Sequence, residues 1–134
     1  MPAMPKYQFT AEAQPHYLPD QSSPEQAVYS FAYQITVHNR GDVPAQLISR
    51  HWIITDGHGH TEEVKGLGVV GQQPLLRPGE SFQYTSGCRL HTPTGSMRGS
   101  YFCVAEDGTR FEVEIAAFIL DADTGSGGAP RVLH

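Results

Sequence analysis

The residues Gly66-Leu-Gly-Val-Val-Gly71 spell G-x-G-x-x-G, a pattern whose chemistry is pyrophosphate binding. In that chemistry the glycines open a helix, and its N-terminal amides and dipole hold the negative charge. Pro74 and Pro78-Gly79 forbid such a helix here, and the β-branched Val69 and Val70 suit a strand. No βαβ unit follows to present an acidic residue to a ribose. What survives is a glycine loop whose successive N–H groups form a concave nest for a phosphate-containing ligand, pyrophosphate or nucleotide, around Gly66, Gly68 and Gly71. Lys65 and Arg77 would supply the counter-charge. A bulge or turn that binds nothing is the plainer account of the same residues.

Four nitrogen and sulfur donors invite a metal reading. His58 and His60 form an H-x-H pair and Cys88-x-x-His91 adds two more, in the ligand classes that zinc or cobalt accept. Their spacing matches no standard zinc module, and the glycines around the two histidines predict a hairpin tip. No cofactor is expected, and His58 and His60 are only weak metal candidates.

Acid–base and nucleophilic chemistry have even less to work with. Asp56 lies near His51 and His58, and Glu112 lies near Glu114, but no G-x-S-x-G elbow occurs. Gly95-Ser-Met-Arg-Gly99 has the wrong order. Glu112 and Glu114 alternate with Phe111, Val113 and Ile115, as the wet face of a sheet does. The chain is expected not to be an enzyme.

The elements that carry these residues are all strands. From Val28 to Asn39, Tyr29, Phe31, Tyr33, Ile35 and Val37 alternate with smaller or polar residues, which predicts a strand with one buried face. Asn39-Arg-Gly-Asp42 is turn chemistry. Ala45 to Thr55 reads as a central strand, with Ile48, Trp52 and Ile54 on one face and Leu47, Ser49, His51 and Ile53 on the other. Trp52 is expected in the core, where sandwich domains bury a tryptophan. Asp56-Gly-His-Gly-His60 is a turn, Thr61 to Val64 a short strand, and Gly66 to Gly71 a loop or bulged edge. Further strands are predicted at the two leucines between Pro74 and Arg77-Pro-Gly79, at Ser81 to Ser86, at Met97 to Ala105 and at Arg110 to Leu120, with Tyr7, Phe9 and Ala11 in the first. About seven to eight strands without helical periodicity predict an all-β sandwich of the fibronectin type III or immunoglobulin kind over residues 1–120. Residues 121–134 read as a flexible C-terminal tail.

Composition agrees. A chain of 134 residues suffices for one domain, and 14 glycines and 10 prolines with 17% charged residues favour strands and turns. The net charge of −5, without basic clusters, argues against nucleic acid. The longest apolar run, Ile115 to Leu120, is too short for membrane insertion, and Met1 to Lys6 contains no apolar stretch of the kind that directs export. A cytoplasmic location is expected, with Cys88 and Cys103 as reduced, structural thiols.

Two stretches carry a family resemblance. Gly68-Val-Val-Gly-Gln-Gln-Pro-Leu-Leu-Arg-Pro-Gly-Glu-Ser-Phe-Gln-Tyr-Thr-Ser86 and Leu90-His-Thr-Pro-Thr-Gly-Ser-Met-Arg-Gly-Ser-Tyr101, with Arg50-His-Trp-Ile-Ile-Thr-Asp56 upstream, resemble the ApaG family. The resemblance runs from about Lys6 to Leu120. It implies a fibronectin type III-like sandwich that stands alone in bacteria and recurs as a domain in eukaryotic F-box proteins and a polymerase-delta-interacting protein. It also implies a link to cobalt resistance, magnesium efflux and a neighbouring diadenosine tetraphosphate hydrolase. A chain without a membrane-length segment cannot itself carry ions, so an efflux role would be indirect.

The leading functional expectation is therefore a cytosolic module for protein–protein interaction, with an unidentified protein partner. The loop Gly66 to Gly71 and the stretch His91 to Met97 are the expected contact sites. An exposed edge strand is a second route, either to a partner or to a homodimer. A sensor of pyrophosphate, nucleotide or divalent metal is the alternative.

Overall fold

The computed structural model describes residues 6–123. Among these residues the chain forms eight strands: β1 (Phe9–Tyr17), β2 (Tyr29–Asn39), β3 (Ala45–Asp56), β4 (Thr61–Leu67), β5 (Leu75–Leu76), β6 (Ser81–Leu90), β7 (Thr94–Ala105) and β8 (Arg110–Asp121). One sheet has the order β1-β2-β6, and the other the order β4-β3-β7-β8 with β5 paired to β3. All pairings are antiparallel. The two sheets make a fibronectin type III-like sandwich. Of the expected tail, Asp121 ends β8 opposite Thr94, and residues 124–134 lie outside the described residues.

Alternation does the folding work in β2, where Phe31, Tyr33, Ile35 and Val37 are all buried. They meet Leu47, Trp52, Met97, Tyr101, Val113 and Ile115 from the larger sheet. Trp52 sits at the centre of the aromatic packing, with ring centroids 5.4 Å from Tyr33 and 5.9 Å from Phe118. The phenols of Tyr84 and Tyr101 hydrogen-bond to each other and tie β6 to β7 across the layers. Burial pushes Tyr84 up to about 12, and burial followed by the neighbouring Tyr84 pushes Tyr101 higher still. Along one side β1 packs on β8, with Phe9 edge-on to Phe111 at 5.6 Å.

Two expectations about β3 and β7 are corrected. Leu47 and Trp52 both point into the core, although their numbers differ by an odd count. A bulge between Leu47 and Ser49 adds one residue to β3 and reverses its alternation, so Leu47 does not share a face with Ser49 and His51. Both faces of this strand look apolar in sequence for that reason. β7 starts at Thr94 instead of Met97, so Met97 lies inside the strand and not at its exposed beginning, and it is 1% exposed. Met97 is thus a core residue and offers no surface to a partner.

Cys88 on β6 and Cys103 on β7 belong to opposite sheets, and both are free. Burial raises their thiols to about 11 and about 12 respectively, with Glu62 adding to the shift at Cys88. Among the described residues no helix is long and apolar enough to cross a membrane.

Candidate functional site

The glycine motif is a hairpin. β4 ends at Leu67, the Gly68 amide donates to the Ile48 carbonyl at 2.7 Å, and Val69 and Gln72 exchange backbone hydrogen bonds of 2.8 and 2.9 Å. The two residues they enclose, Val70 and Gly71, have φ of +44° and +80°. Positive φ at both central positions is the signature of a type I′ turn, whose preferred sequence is Asn-Gly. Gly71 is required by its φ alone, with open space where a Cβ would lie, whereas Gly66 and Gly68 also have a steric reason. A Cβ at Gly66 would fall 2.7 Å from the Arg50 guanidinium, whose Nη1 donates to the carbonyls of Leu67 and Gly68 at 3.0 Å each. Gly68 has φ of +67°, and its Cβ would lie 2.5 Å from the Gln72 carbonyl oxygen. Gly68→Ala is expected to lower stability by about 2 kcal/mol, read as a shift in the urea midpoint, because a left-handed alanine alone costs about 1–2 kcal/mol.

This geometry leaves little of a phosphate nest. The amides of Gly68, Val69 and Gln72 already donate to backbone carbonyls. Lys65 sits opposite His51, whereas Arg77 follows Leu76 opposite Ala45. Six strand positions separate those two levels of β3, roughly 20 Å. Arg77 belongs instead to its own turn, where its amide donates to Glu80 Oε1 at 2.8 Å.

What the hairpin displays is apolar surface. Among the described residues four large hydrophobic side chains are exposed, and three of them, Leu67 at 75%, Val70 at 52% and Leu75 at 52%, lie in this one excursion. Val69 is fully buried and anchors the hairpin, while Val70 points outward. A β-branched residue in left-handed backbone is strained. Beside the hairpin, the outer face of β3, β4 and β7 forms an open concavity of about 400 Å³, bordered by His51, Lys65, Leu67, Phe102 and Glu112. His51 Nε2 lies 2.7 Å from Glu63 Oε1. Glu63 is therefore the carboxylate that His51 meets, and Asp56 serves elsewhere.

Asp56 organises the turn after β3. Its Oδ1 accepts the amides of His58 at 2.8 Å and His60 at 3.0 Å, and its Oδ2 lies 3.6 Å from His60 Nδ1. Desolvation raises the carboxyl, but the His60 and His58 amides and then the imidazoles outweigh it and hold the group below the ordinary carboxylate range. The sign follows: a depressed folded pKa contributes stability above the unfolded value and loses it as pH falls through the folded one. The His58 and His60 amide resonances are expected to move together below about pH 4, and Asp56→Asn is expected to abolish that titration.

The expected metal donors are spread out. His60 and His91 border a common hollow of about 120 Å³ with Asp56 and Glu62. His91 Nδ1 is 3.1 Å from the Ala27 carbonyl, so its ring supports the neighbouring turn. Among the described residues no group of three or more His, Cys, Asp or Glu side chains converges to hold a metal ion. Sequence reasoning included Leu67 in the expected contact loop without singling it out, and missed Leu75 and Arg50; a leucine next to turn residues was the signal for Leu75, and the pairing of Arg50 with Gly66 is visible only in the register.

Residues 19–105, which contain the hairpin, the Asp56 turn and all of β7, match the family model described as ApaG domain. The chain belongs to the ApaG family. Protein ApaG of Acidovorax sp. (strain JS42) is 68% identical, with 98% of this chain and 100% of the relative covered. Protein ApaG of Ralstonia nicotianae is 56% identical, again over 98% of this chain and 100% of the relative. Among solved structures, the protein called ApaA from Bordetella pertussis superposes with a TM-score of 0.88 at 57% identity, covering 92% of this chain and 100% of that one. A structural genomics X-ray structure with 44% identity superposes at 0.82, covering 94% and 95%. The ApaG relatives span this chain nearly end to end, so β8 belongs with the shared fold although the family match stops at Ala105.

Proposed function

We propose that this ApaG-family chain is a cytoplasmic protein–protein interaction module that docks its partner on the Val69–Gln72 hairpin and the adjoining outer face of β3 and β4. The observation that carries this reading is the strained, outward Val70 between exposed Leu67 and Leu75. A polar Asn-Gly would make the same turn without strain, so a valine held there needs a reason other than folding. Clustered exposed apolar side chains on a rigid sandwich mark interaction surfaces.

The module is non-catalytic in this reading. Support comes from thiols that burial keeps protonated and from His51 and Asp56 being engaged by Glu63 and by turn amides respectively. Two free cysteines fit a reducing compartment. Cobalt resistance and magnesium efflux would then reach this protein only through its partner. Crosslinking in cells followed by mass spectrometry, with wild type beside Leu67→Ser/Leu75→Ser, tests the proposal. Loss of one defined adduct in the variant is expected; an unchanged adduct pattern overturns the hairpin as the docking site.

A further inference from the structure

The smaller sheet has three strands and faces a four-strand layer, β4-β3-β7-β8. β1 covers β8 on one side, so the empty position lies beside β6 and opposite β4. A cleft of about 250 Å³ occupies that place. Tyr33, Trp52 and Arg50 line it, together with Glu62 and Val64 of β4 and Cys88 of β6.

The four outer strands are not equally protected against strand addition. Native edges are blunted by charges, proline or bulges. β1 carries Glu12 and Pro15; β4 carries Glu62, Glu63 and Lys65; β8 carries Glu112, Glu114 and a register shift opposite Met97 and Gly99. β6 has neither a charge nor a proline from Ser81 to Cys88. Its register is set by the Asn39 amide donating to the Glu80 carbonyl at 2.9 Å. The even-numbered residues of β6 therefore bond to β2, and the N–H and C=O groups of Ser81, Gln83, Thr85 and Gly87 point away from the sheet.

The cleft also carries a net positive charge, with Arg50 and Arg89 against the single carboxylate of Glu62. The ion pairs among the described residues are His51–Glu63 and His60–Asp56, so neither half-buried Arg50 nor exposed Arg89, both bordering the cleft, has a carboxylate within ion-pair distance. Arg50 lies across the bare backbone of Gly66, donating Nη1 to two carbonyls. A guanidinium presents five donors in a fork that matches a carboxylate.

We infer that the β6 edge accepts an extended acidic peptide segment of a partner as a fourth strand, with one inward Asp or Glu paired to Arg50. Backbone bonds to the outward groups of β6 supply affinity for any extended chain, and the alternate side chains entering the cleft supply selectivity. This edge is separate from the apolar hairpin surface, and either site can stand without the other.

Random ten-residue peptides displayed on phage, selected against the full chain, test the inference. Enrichment of alternating sequences with a single Asp or Glu is expected. A synthetic selected peptide should shift and protect the amides of Thr85, Gly87 and Arg89. Arg50→Gln should weaken it at least tenfold while leaving its Glu-to-Gln analogue unchanged, and Gly87→Pro should weaken both. If Gly87→Pro does not fold, the amide protection pattern on wild type decides. The inference is overturned by no enrichment, by protection confined to other strands, by equal loss of both peptides in Arg50→Gln, or by sedimentation showing that β6 pairs with a second copy of the chain.

Discussion

Val70→Asn is expected to make this protein more stable and worse at holding its partner. Left-handed backbone costs a β-branched residue about 1–2 kcal/mol, and asparagine occupies it readily, so the variant should gain about 1 kcal/mol in urea or thermal unfolding. The side chain is 52% exposed, and Val69, not Val70, packs in the core, so folding loses little when the valine goes. Binding should lose about tenfold, because burying a valine in an interface contributes on the order of 1.5 kcal/mol. A stabilising substitution with impaired capture would identify the strain as functional. A variant of lower stability would mean that Val70 contributes packing that its exposure does not reveal.

Trp52→Ala is expected to lower stability by about 3–5 kcal/mol, since it opens a cavity at the centre of the sandwich. The indole is 2% exposed and meets Tyr33 from one layer and Phe118 from its own. Total stabilities of single domains are about 5–15 kcal/mol, so the variant should approach unfolding at 37 °C. Trp52→Phe keeps the edge-to-face contacts and should lose less. Urea unfolding followed by far-ultraviolet dichroism reads both, and a loss under 1 kcal/mol for Trp52→Ala would contradict the packing described here.

Much of the architecture was legible because β2 alternates from Phe31 to Val37 and β8 alternates from Phe111 to Ile115, before its register shift, each beside a glycine turn. The face of β3 was not. Its bulge lies where the strand changes partners: Ile48 accepts from Gly68 and Leu47 donates to Pro74, both distant in sequence. The start of β7 was missed for a related reason, since Thr94 is held in the sheet by Asp121. At the site, Gly66, Gly68 and Gly71 were readable as a turn, but which valine faces outward depends on the type I′ geometry. The β6 edge and the unpaired Arg50 are products of topology, which places Gly66 under the guanidinium and leaves β4 without a strand opposite it.

The most direct measurement is a photo-crosslinking residue introduced in turn at positions 67, 70 and 75, with exposed positions 12 and 114 as controls, followed by identification of adducts formed in cells. One protein partner captured from all three hairpin positions and from neither control is the predicted result. Equal capture at the control positions, or no adduct at the hairpin, would contradict a module that docks through it.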